Sequence, residues 1–216
     1  YFSRLPDGQE PIPVVTEEPE QLGERRVVIR EQSQPFLVIG YHRGSQFSEN
    51  NPVYAVLSSI LTQGRTSRLY QRLVETGEAT SVQAGSGFPG QKDDHLFVVL
   101  GRPSRGVAPD SIEQAIYEEL DRIKTEGVTE AELDRAKTQA RAGLVRGLDS
   151  NLGLAQGLSQ IQELTGDWRN AFRQLDEIEA VTAADVQRVA EETFVPRNRT
   201  VGMIKTESES PPTASN

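Results

Sequence analysis

Residues 51–82, NPVYAVLSSILTQGRTSRLYQRLVETGEATSV, decide the fold that we expect for this chain. They open with Asn51 before Pro52, a pair typical of a helix start, because proline in the first turn removes only an N–H group that the helix does not use. Apolar residues then recur at helical spacing as far as Gly64, which predicts an amphipathic helix. Its predicted inward face consists of Val53, Val56, Leu57, Ile60 and Leu61.

A second, shorter helix is predicted over residues 66–75, and Gly77 is expected to end it. Its predicted inward residues are Leu69, Leu73 and Val74, and its outward residues are Arg65, Arg68 and Arg72. Residues 80–84 then alternate between small or apolar and polar side chains, as a strand does. Two apolar helices joined by a Gly-Arg-Thr-Ser corner and followed by a strand form a specific supersecondary unit.

The flanking segments predict further strands and helices around this unit. The expected strands are 25–31, 35–41, 80–88, 95–102 and 199–205. The run 35–41, PFLVIGY, is continuously apolar, as expected when both faces of a strand are covered. Short loops between neighbouring strands favour antiparallel pairing, and five predicted helices between 110 and 195 collect on one side. The fold class is therefore α+β, a two-layer sandwich with a largely antiparallel sheet and helices packed on one side.

Three helix starts are marked by capping residues. Asp110 with Glu113, and Thr129 with Glu132, have the spacing of a capping box, in which two side chains bond reciprocally to the backbone of the first turn. Thr182 is the expected cap of the last helix.

The domain organisation follows from composition. Residues 1–24 are rich in proline and predict a linker from a preceding domain, 25–206 form the α+β domain, and 207–216 predict a disordered tail. The chain starts with neither an initiator methionine nor a signal peptide, which fits a fragment or a processed product.

Charge and composition exclude several classes of function. The chain has 216 residues, with 23 Lys and Arg against 32 Asp and Glu, and a formal net charge of −9. Such a field repels a phosphate backbone, so no nucleic-acid partner is expected. The absence of cysteine excludes disulfides, thiolate metal sites and cysteine nucleophiles. No apolar run approaches a membrane span. A soluble protein is predicted, and bacterial cytoplasm, periplasm and organelle all stay open.

Four stretches carry a resemblance to a known family. They are PFLVIGYHRG, YAVLSSILTQGRTSRLYQRLVETGEATSV, VTEAELDRAKTQARAGLVRGLDSN and LDEIEAVTAADVQRVAEETFVPRNRTVGMI. From about residue 23 to 205, the chain resembles the C-terminal domain of the pitrilysin-like zinc peptidases. This family includes mitochondrial processing peptidase, insulin-degrading enzyme and many bacterial processing proteases.

The resemblance implies a duplicated architecture. Two homologous α+β domains enclose a peptide, and one of them carries a His-x-x-Glu-His motif that binds zinc and activates a water. The other half lacks zinc ligands and helps to hold the peptide backbone, often through an Arg and a Tyr after the Ser-Arg-Leu corner. In this chain those two positions fall on Val74 and Thr80. Arg72 lies two residues earlier, about 200° away around an α-helix, so it is not assumed to substitute.

The chain has no metal motif of its own. Its two histidines, His42 and His95, lie far apart, and neither begins a His-x-x-Glu-His sequence. A zinc site of this kind needs three protein ligands in fixed geometry. We therefore expect no catalytic residue and no metal ligand in this chain, with zinc in the partner domain.

Four residues near the corner are candidates for peptide binding. They are Arg65, Arg68, Tyr70 and Arg72. Guanidinium groups bind peptide carbonyls or carboxylates well. The alternative is that the arginines pair with Glu75, Glu78 and nearby acids, and that Tyr70 is half-buried packing.

A second ambiguity concerns glycines at helical positions, namely Gly143, Gly147, Gly153 and Gly157. They indicate either a flexible or closely approached segment near a hinge or partner, or plain close packing of helices.

Three functions are compatible with these patterns. The first is the non-catalytic C-terminal half of a zinc-dependent processing endopeptidase, closing a chamber around a peptide and supporting a homologous zinc-bearing domain or subunit, as a homo- or heterodimer. The second is a proteolytically inactive structural or docking subunit of the same family. The third, a free-standing small-ligand module, has the least support, because no cluster of polar residues stands out in the sequence.

Overall fold

The computed structural model describes Gly8 and residues 19–207, and this part of the chain contains one five-stranded sheet. The strands are β1 (Arg25–Glu31), β2 (Phe36–Arg43), β3 (Ala79–Phe88), β4 (His95–Pro103) and β5 (Arg199–Thr206). They lie in the order β1-β5-β2-β4-β3. Most of the predicted linker and nearly all of the predicted tail lie outside the described residues, so those domain boundaries stay predictions.

Six α-helices accompany the sheet in the described residues. They are α1 (Asn51–Thr62), α2 (Pro109–Glu126), α3 (Glu130–Leu148), α4 (Asn151–Thr165), α5 (Asn170–Ala180) and α6 (Ala183–Thr193). A π-helical segment, Tyr70–Glu75, follows α1, and a short 3-10 turn, Pro196–Asn198, precedes β5. Within this part of the chain, no helix is both long and apolar enough to cross a membrane.

The predicted fold class is confirmed, because the sheet is largely antiparallel and helices pack on one side. β2 pairs antiparallel with β4 and β5, and β3 pairs antiparallel with β4. The expected pairing of β1 with its neighbour β2 is wrong. β5 enters between them and runs parallel to β1, with Arg25 opposite Thr200. Gln21, which precedes β1, also contacts β5: its Nε2 donates a hydrogen bond to the carbonyl of Arg199 at 2.8 Å.

The core lies between the sheet and the helices. Its strand residues alternate along β2 and β4, because successive side chains of a strand point to opposite faces. The largest fully buried side chains are Leu37, Ile39, Tyr41, Leu57, Ile60, Leu61, Leu69, Leu73, Phe97, Ile112, Ile116 and Leu120. The predicted inward face of α1 is buried throughout, so helical periodicity placed this face correctly.

The corner after α1 differs from the expected helix. Residues 70–75 form a π-helical segment, and Gly64 adopts a φ of +83° that allows the chain to turn. The hydroxyl of Ser67 donates to the carbonyl of Gly64 at 2.7 Å and holds the turn. A π-helix bonds each residue five positions back, so the α-helical angle between Arg72 and Val74 does not apply here.

Replacing Gly64 with alanine is expected to destabilise the protein by about 1–2 kcal/mol, because an L side chain at positive φ is strained. Steric collision contributes little, since the atom nearest an added Cβ is Gln139 Nε2 at 3.6 Å. The measurement is the free energy of unfolding in urea.

The control is Gly157→Ala in α4, where an added Cβ meets nothing within 4 Å. This change is expected to stabilise by up to about 1 kcal/mol, because alanine is the better helix former. Equal effects of the two changes on the free energy of unfolding would contradict the role given to the positive φ of Gly64.

Gly143 and Gly147 also have open space around an added Cβ. Close packing within the described residues therefore does not explain these three glycines, whereas Gly153 is closely approached, since an added Cβ there would lie 2.5 Å from the carbonyl oxygen of Gly147.

Two of the predicted helix caps are confirmed. Thr129 and Glu132 form a capping box at the start of α3, and Thr182 forms one with Asp185 at the start of α6. Each side chain bonds to a backbone N–H of the first turn that would otherwise be unpaired.

The predicted capping box at Asp110 is wrong. Helix α2 starts after Ala108, so Asp110 lies inside the first turn, where it accepts a bond from Lys205 Nζ at 2.8 Å. Glu113 turns toward Arg26 of β1 instead of the backbone. Side-chain partners from distant strands therefore override the local capping pattern.

The second face of the sheet, which we call the open face, is only half-buried in the described structure. Register places Val27 and Ile29 of the edge strand on this face, beside Gly202 and Ile204 of β5. They remain 58% and 50% exposed. Other apolar residues of the open face are half-buried, namely Phe36, Val38, Leu96, Val98, Leu100 and Ile204. The continuous apolar run in β2 therefore lacks the second cover that its composition led us to expect.

Candidate functional site

The corner segment is tied to the start of α3 by Arg68. Its Nε and Nη2 donate to the two carboxylate oxygens of Glu132 at 2.7 and 2.9 Å, and Nη2 also donates to the carbonyl of Gly127 at 3.0 Å. The third nitrogen, Nη1, is buried and has no hydrogen-bond partner in the described structure. A two-point ion pair of this kind fixes both distance and orientation. In this conformation Arg68 thus acts as a clamp between the corner and α3.

The same ion pair controls the ionisation of Glu132. Its bonds from Arg68, together with the backbone N–H of Thr129 and against the opposing effect of burial, lower the pKa of the Glu132 carboxyl from 4.5 to about 2. A carboxylate with a depressed folded-state pKa stabilises the fold above its unfolded pKa. This stabilisation is lost as the pH falls from about 4.5 through about 2.

Replacing Arg68 with methionine is expected to cost about 1.5–3 kcal/mol at pH 7, because charge-assisted hydrogen bonds to a half-buried carboxylate are lost. The variant should also lose less stability than the parent between pH 4.5 and pH 2, since its Glu132 pKa is less depressed. Urea unfolding at several pH values measures both effects.

Arg72→Met is the matched control on the same segment. Arg72 Nη1 donates to Glu78 Oε1 at 2.6 Å in a more exposed pair, so its loss should cost less than about 1 kcal/mol. If the stability of both variants falls equally with pH, the assignment of the acid-labile contribution to the Arg68–Glu132 pair is wrong.

The four candidate peptide contacts do not gather at one point. Arg68 and Arg72 line a shallow cavity of about 550 Å³, which also contains Glu119, Glu126 and Glu132. Arg65 is exposed, and Tyr70 is half-buried outside this cavity. Both arginines in the cavity are engaged by acids, one of which is Glu78, as the alternative interpretation anticipated. Peptide binding by the four residues stays a prediction.

The positions that correspond to the family's Arg and Tyr hold different chemistry. Val74 packs half-buried against the core, and Thr80 is exposed with its hydroxyl donating to the carbonyl of Arg102 at 3.2 Å. An aliphatic and a hydroxyl side chain cannot supply the charge of a guanidinium group or the ring of a phenol.

The two histidines lie on opposite faces of the sheet. His42 pairs with Leu96 on the open face, whereas His95 pairs with Arg43 on the helix-covered face. His95 is buried, its Nδ1 lies 3.0 Å from the carbonyl of Asp93, and burial lowers its pKa.

The described residues do not fit a zinc ion. They contain no group of three or more His, Cys, Asp or Glu side chains that could hold a metal. The sheet itself separates the two histidines, so they cannot share one ion. No step of hydrolysis is therefore assigned to residues of this domain.

Sequence reasoning missed one cluster of polar residues around Arg43. This arginine ends β2 and is only 5% exposed. The available signal was the charged residue that closes a continuous apolar strand just before Gly44. Long charged side chains are rarely so fully buried unless they are paired.

The described residues form an α+β domain in which helices cover one face of a largely antiparallel five-stranded sheet. Comparison with known families gives the particular assignment. Residues 1–140 match the family model described as the peptidase M16 inactive domain, and the chain belongs to this family. It is thus an inactive domain of the zinc-protease type, as the resemblance predicted.

Relatives and solved structures agree with this assignment. The zinc protease PqqE of Helicobacter pylori is 27% identical over 87% of this chain and 42% of its own length. An uncharacterized zinc protease of Streptomyces coelicolor is 28% identical over 80% of this chain and 37% of its own length. The chain therefore spans less than half the length of these relatives.

Among solved structures, a protease from Helicobacter pylori has the same fold, with a TM-score of 0.83, 22% identity, and coverage of 92% of this chain and 48% of that one. The inactive peptidase domain of a candidate zinc protease from Bordetella parapertussis has a TM-score of 0.72 and 26% identity, covering 86% of this chain and 98% of that one.

Proposed function

We propose that this domain is the non-catalytic half of a zinc-dependent endopeptidase and closes a chamber around an extended peptide. A homologous half, in the same polypeptide or in a partner subunit, supplies the zinc and the activated water. Relatives named as zinc proteases are more than twice as long as the matched region, which leaves room for such a second half. The contribution of this domain is enclosure and positioning of the peptide.

The observation that carries this proposal is the apolar open face of the sheet. Contiguous apolar surface of this kind marks an interaction site in a folded protein. The occupant that we propose is the homologous zinc-bearing half, because relatives of this chain continue well beyond the region that it matches. Docking of that half would provide the second cover that the apolar run in β2 requires.

The edge strand β1 offers a second element for this role. Its seven residues are all exposed, and its outer edge has no neighbouring strand in the described sheet. The unpaired N–H and C=O groups along an exposed strand edge are a template for a further strand. We propose that either the partner half or an extended peptide adds to this edge. Arg65, Arg68, Tyr70 and Arg72 remain the proposed side-chain contacts to the peptide.

The test is reconstitution. This chain is mixed with the zinc-bearing half of the same parent protein, and cleavage of a peptide library and formation of the complex are measured. We expect the mixture to cleave faster than the zinc-bearing half alone, and this chain alone to be inactive. If no complex forms and the rate is unchanged, the proposal fails.

A variant of the open face makes the test specific. The double variant Val27→Asp/Ile29→Asp changes exposed positions, so it should fold normally while it weakens the complex at least tenfold, since charges would face an apolar partner surface. Leu22→Asp is the matched control, because Leu22 is even more exposed and lies outside the sheet.

Within the reconstituted complex, the double variant Arg65→Ala/Tyr70→Phe tests the proposed peptide contacts. It should raise KM with little change in kcat.

A second candidate function is a docking subunit that has lost proteolysis. Val74 and Thr80 favour it, because they stand where related domains hold the peptide backbone. A parent protein with an intact His-x-x-Glu-His motif in its other half supports the peptidase. A parent without the motif supports the docking subunit.

A further inference from the structure

Arg43 is a buried cation whose hydrogen-bond partners in the described structure include no acidic side chain. Arg43 donates from Nε to the carbonyl of Gly44 at 3.0 Å, from Nη1 to Ser86 Oγ at 2.8 Å, and from Nη2 to Asn51 Oδ1 at 2.8 Å. Its guanidinium carbon lies 4.0 Å from the centroid of the Tyr54 ring. In the described structure, all of these partners are neutral. A buried charge compensated only by neutral groups keeps a positive potential around it.

The guanidinium orients its two side-chain partners. Because an arginine only donates hydrogen bonds, it takes the amide oxygen of Asn51 and the hydroxyl oxygen of Ser86 as acceptors. The amide N–H groups of Asn51 and the hydroxyl hydrogen of Ser86 are then left for another acceptor. Arg43 therefore orients the donor groups of Asn51 and Ser86 toward another acceptor and need not contact a ligand itself.

Both donors line one small cavity between the ends of the strands and the helices α4 and α5. Its volume is about 230 Å³, and its polar lining includes Gln46, Asn51, Ser86, Gln91, His95 and Gln160. None of the described side chains that line it is acidic. The nearest acid in sequence, Asp94, accepts the backbone N–H of Ser45 and lines a different cavity.

Gln46, which also lines this cavity, has a side-chain donor that is not used within the described structure. The Nε2 group of Gln46 is buried and has no hydrogen-bond partner in the described structure. Buried polar atoms of native proteins almost always have a partner, which is either protein, water or a ligand. Gln46, Asn51 and Ser86 thus each bring a donor-bearing side chain to one cavity, and two of them contact the buried guanidinium of Arg43.

His95 adds one acceptor to these donors. Its Nδ1 faces the carbonyl of Asp93, which can only accept, so Nδ1 carries the hydrogen and Nε2 of the neutral ring accepts. The C-terminal residue of a peptide matches this pattern, because its carboxylate accepts several bonds while its own amide N–H donates one. The cavity is smaller than pockets for drug-sized ligands, roughly 300–1,000 Å³, and suits one terminal group.

We propose that this cavity, the Arg43 cavity, binds the C-terminal carboxylate of a peptide. The proposal names peptide as the ligand class because it rests on the peptide chamber proposed above. It assigns to Gln46, Asn51 and Ser86 direct contact with the carboxylate, and to Arg43 the role of a positioning residue.

The test is an NMR titration of the isotope-labelled 216-residue chain with N-acetylated alanine–leucine tetrapeptides. A peptide with a free C-terminus should shift the resonances of Gln46, Asn51 and Ser86, and the amidated peptide should bind at least tenfold more weakly. An amidated peptide with one internal glutamate separates the two sources of a carboxylate. Binding that is restored by this glutamate would overturn the assignment to the C-terminus.

Two variants test the proposed donors without changing the buried Arg43. Ser86→Ala and Gln46→Leu each remove one proposed donor and should weaken binding of the free-acid peptide about tenfold. Ser81→Ala is the matched control, since Ser81 lies on the same strand outside the cavity. Equal binding of the free and amidated peptides, or unchanged binding by both variants, would refute the proposal.

This experiment is independent of catalysis. If the peptide does not bind while the reconstituted complex still cleaves, the proposed carboxylate binding at the Arg43 cavity is refuted and the proposed peptide chamber is supported. If the peptide binds while reconstitution fails, carboxylate binding at the Arg43 cavity is supported and the proposed chamber is refuted.

Discussion

Phe97→Ala is expected to lower the free energy of unfolding by about 3–5 kcal/mol, because it opens a cavity in the centre of the core. Phe97 is 0% exposed, and its ring centroid lies 5.8 Å from that of Tyr54 and 5.5 Å from that of Phe194. These rings connect β4, α1 and the segment after α6. The substitution therefore removes contacts that join three elements, and the surrounding side chains cannot all move in to fill the space.

Urea unfolding followed by circular dichroism measures this loss, and Leu96→Ala is its control. Leu96 is the preceding residue of the same strand and faces the open side of the sheet, where it is half-buried. Its truncation should cost only about 1 kcal/mol in the isolated domain. Equal losses at the two positions would contradict the assignment of the buried face. In the reconstituted complex, the Leu96 variant should show an additional loss of affinity.

Glu113→Ala is expected to destabilise by about 2–3 kcal/mol, because it removes a buried carboxylate that accepts charge-assisted bonds, although Arg26 keeps its second acid, Glu24. Glu113 is 5% exposed and accepts from Arg26 Nη1 at 3.0 Å, from Arg26 Nη2 at 2.5 Å and from the hydroxyl of Tyr117 at 2.6 Å. Burial, together with the bond to this carboxylate, raises the pKa of Tyr117. The network fastens the edge strand β1 to α2, so β1 should loosen first.

Hydrogen exchange of the β1 amides, together with urea unfolding, tests this expectation. Faster exchange should be confined to the pairing between β1 and β5. Glu118→Ala is the control, because Glu118 lies five residues further along α2, is exposed, and makes only long contacts, with Gln114 Nε2 at 3.4 Å and Arg72 Nη2 at 3.8 Å. Its removal should change stability by less than about 0.5 kcal/mol. A large effect of the control, or uniform exchange across the sheet, would show that Glu113 does not act through β1.

Much of the fold could be predicted because the spacing of apolar residues within each segment indicates whether that segment is a helix or a strand. β1 spans Arg25–Glu31 as predicted, and no end of the other four strands differs from prediction by more than two residues. The buried face of α1 follows from helical spacing alone. The Gly-Arg-Thr-Ser corner and the last helix also carried the resemblance that led to the family.

The candidate site was less predictable, because its contacts join residues that are distant in sequence. Arg68 meets Glu132 across 64 positions, and Arg43 meets Ser86 across 43. Sequence reasoning considered Glu75 and Glu78 as partners of the corner arginines, and only Glu78 is one of them. The cluster around Arg43 draws on several strands, loops and helices, so no short stretch of sequence contains its pattern.

The sequence alone thus determined which segments form strands and helices, which face of α1 is buried, and which family the chain resembles. The reason is that periodicity reports burial residue by residue. The tertiary structure decided that β5 separates β1 from β2, that the corner is π-helical, that the two histidines face opposite sides, and that a buried arginine prepares a donor-lined cavity. These features depend on which distant elements meet, and local periodicity carries no information about the partner.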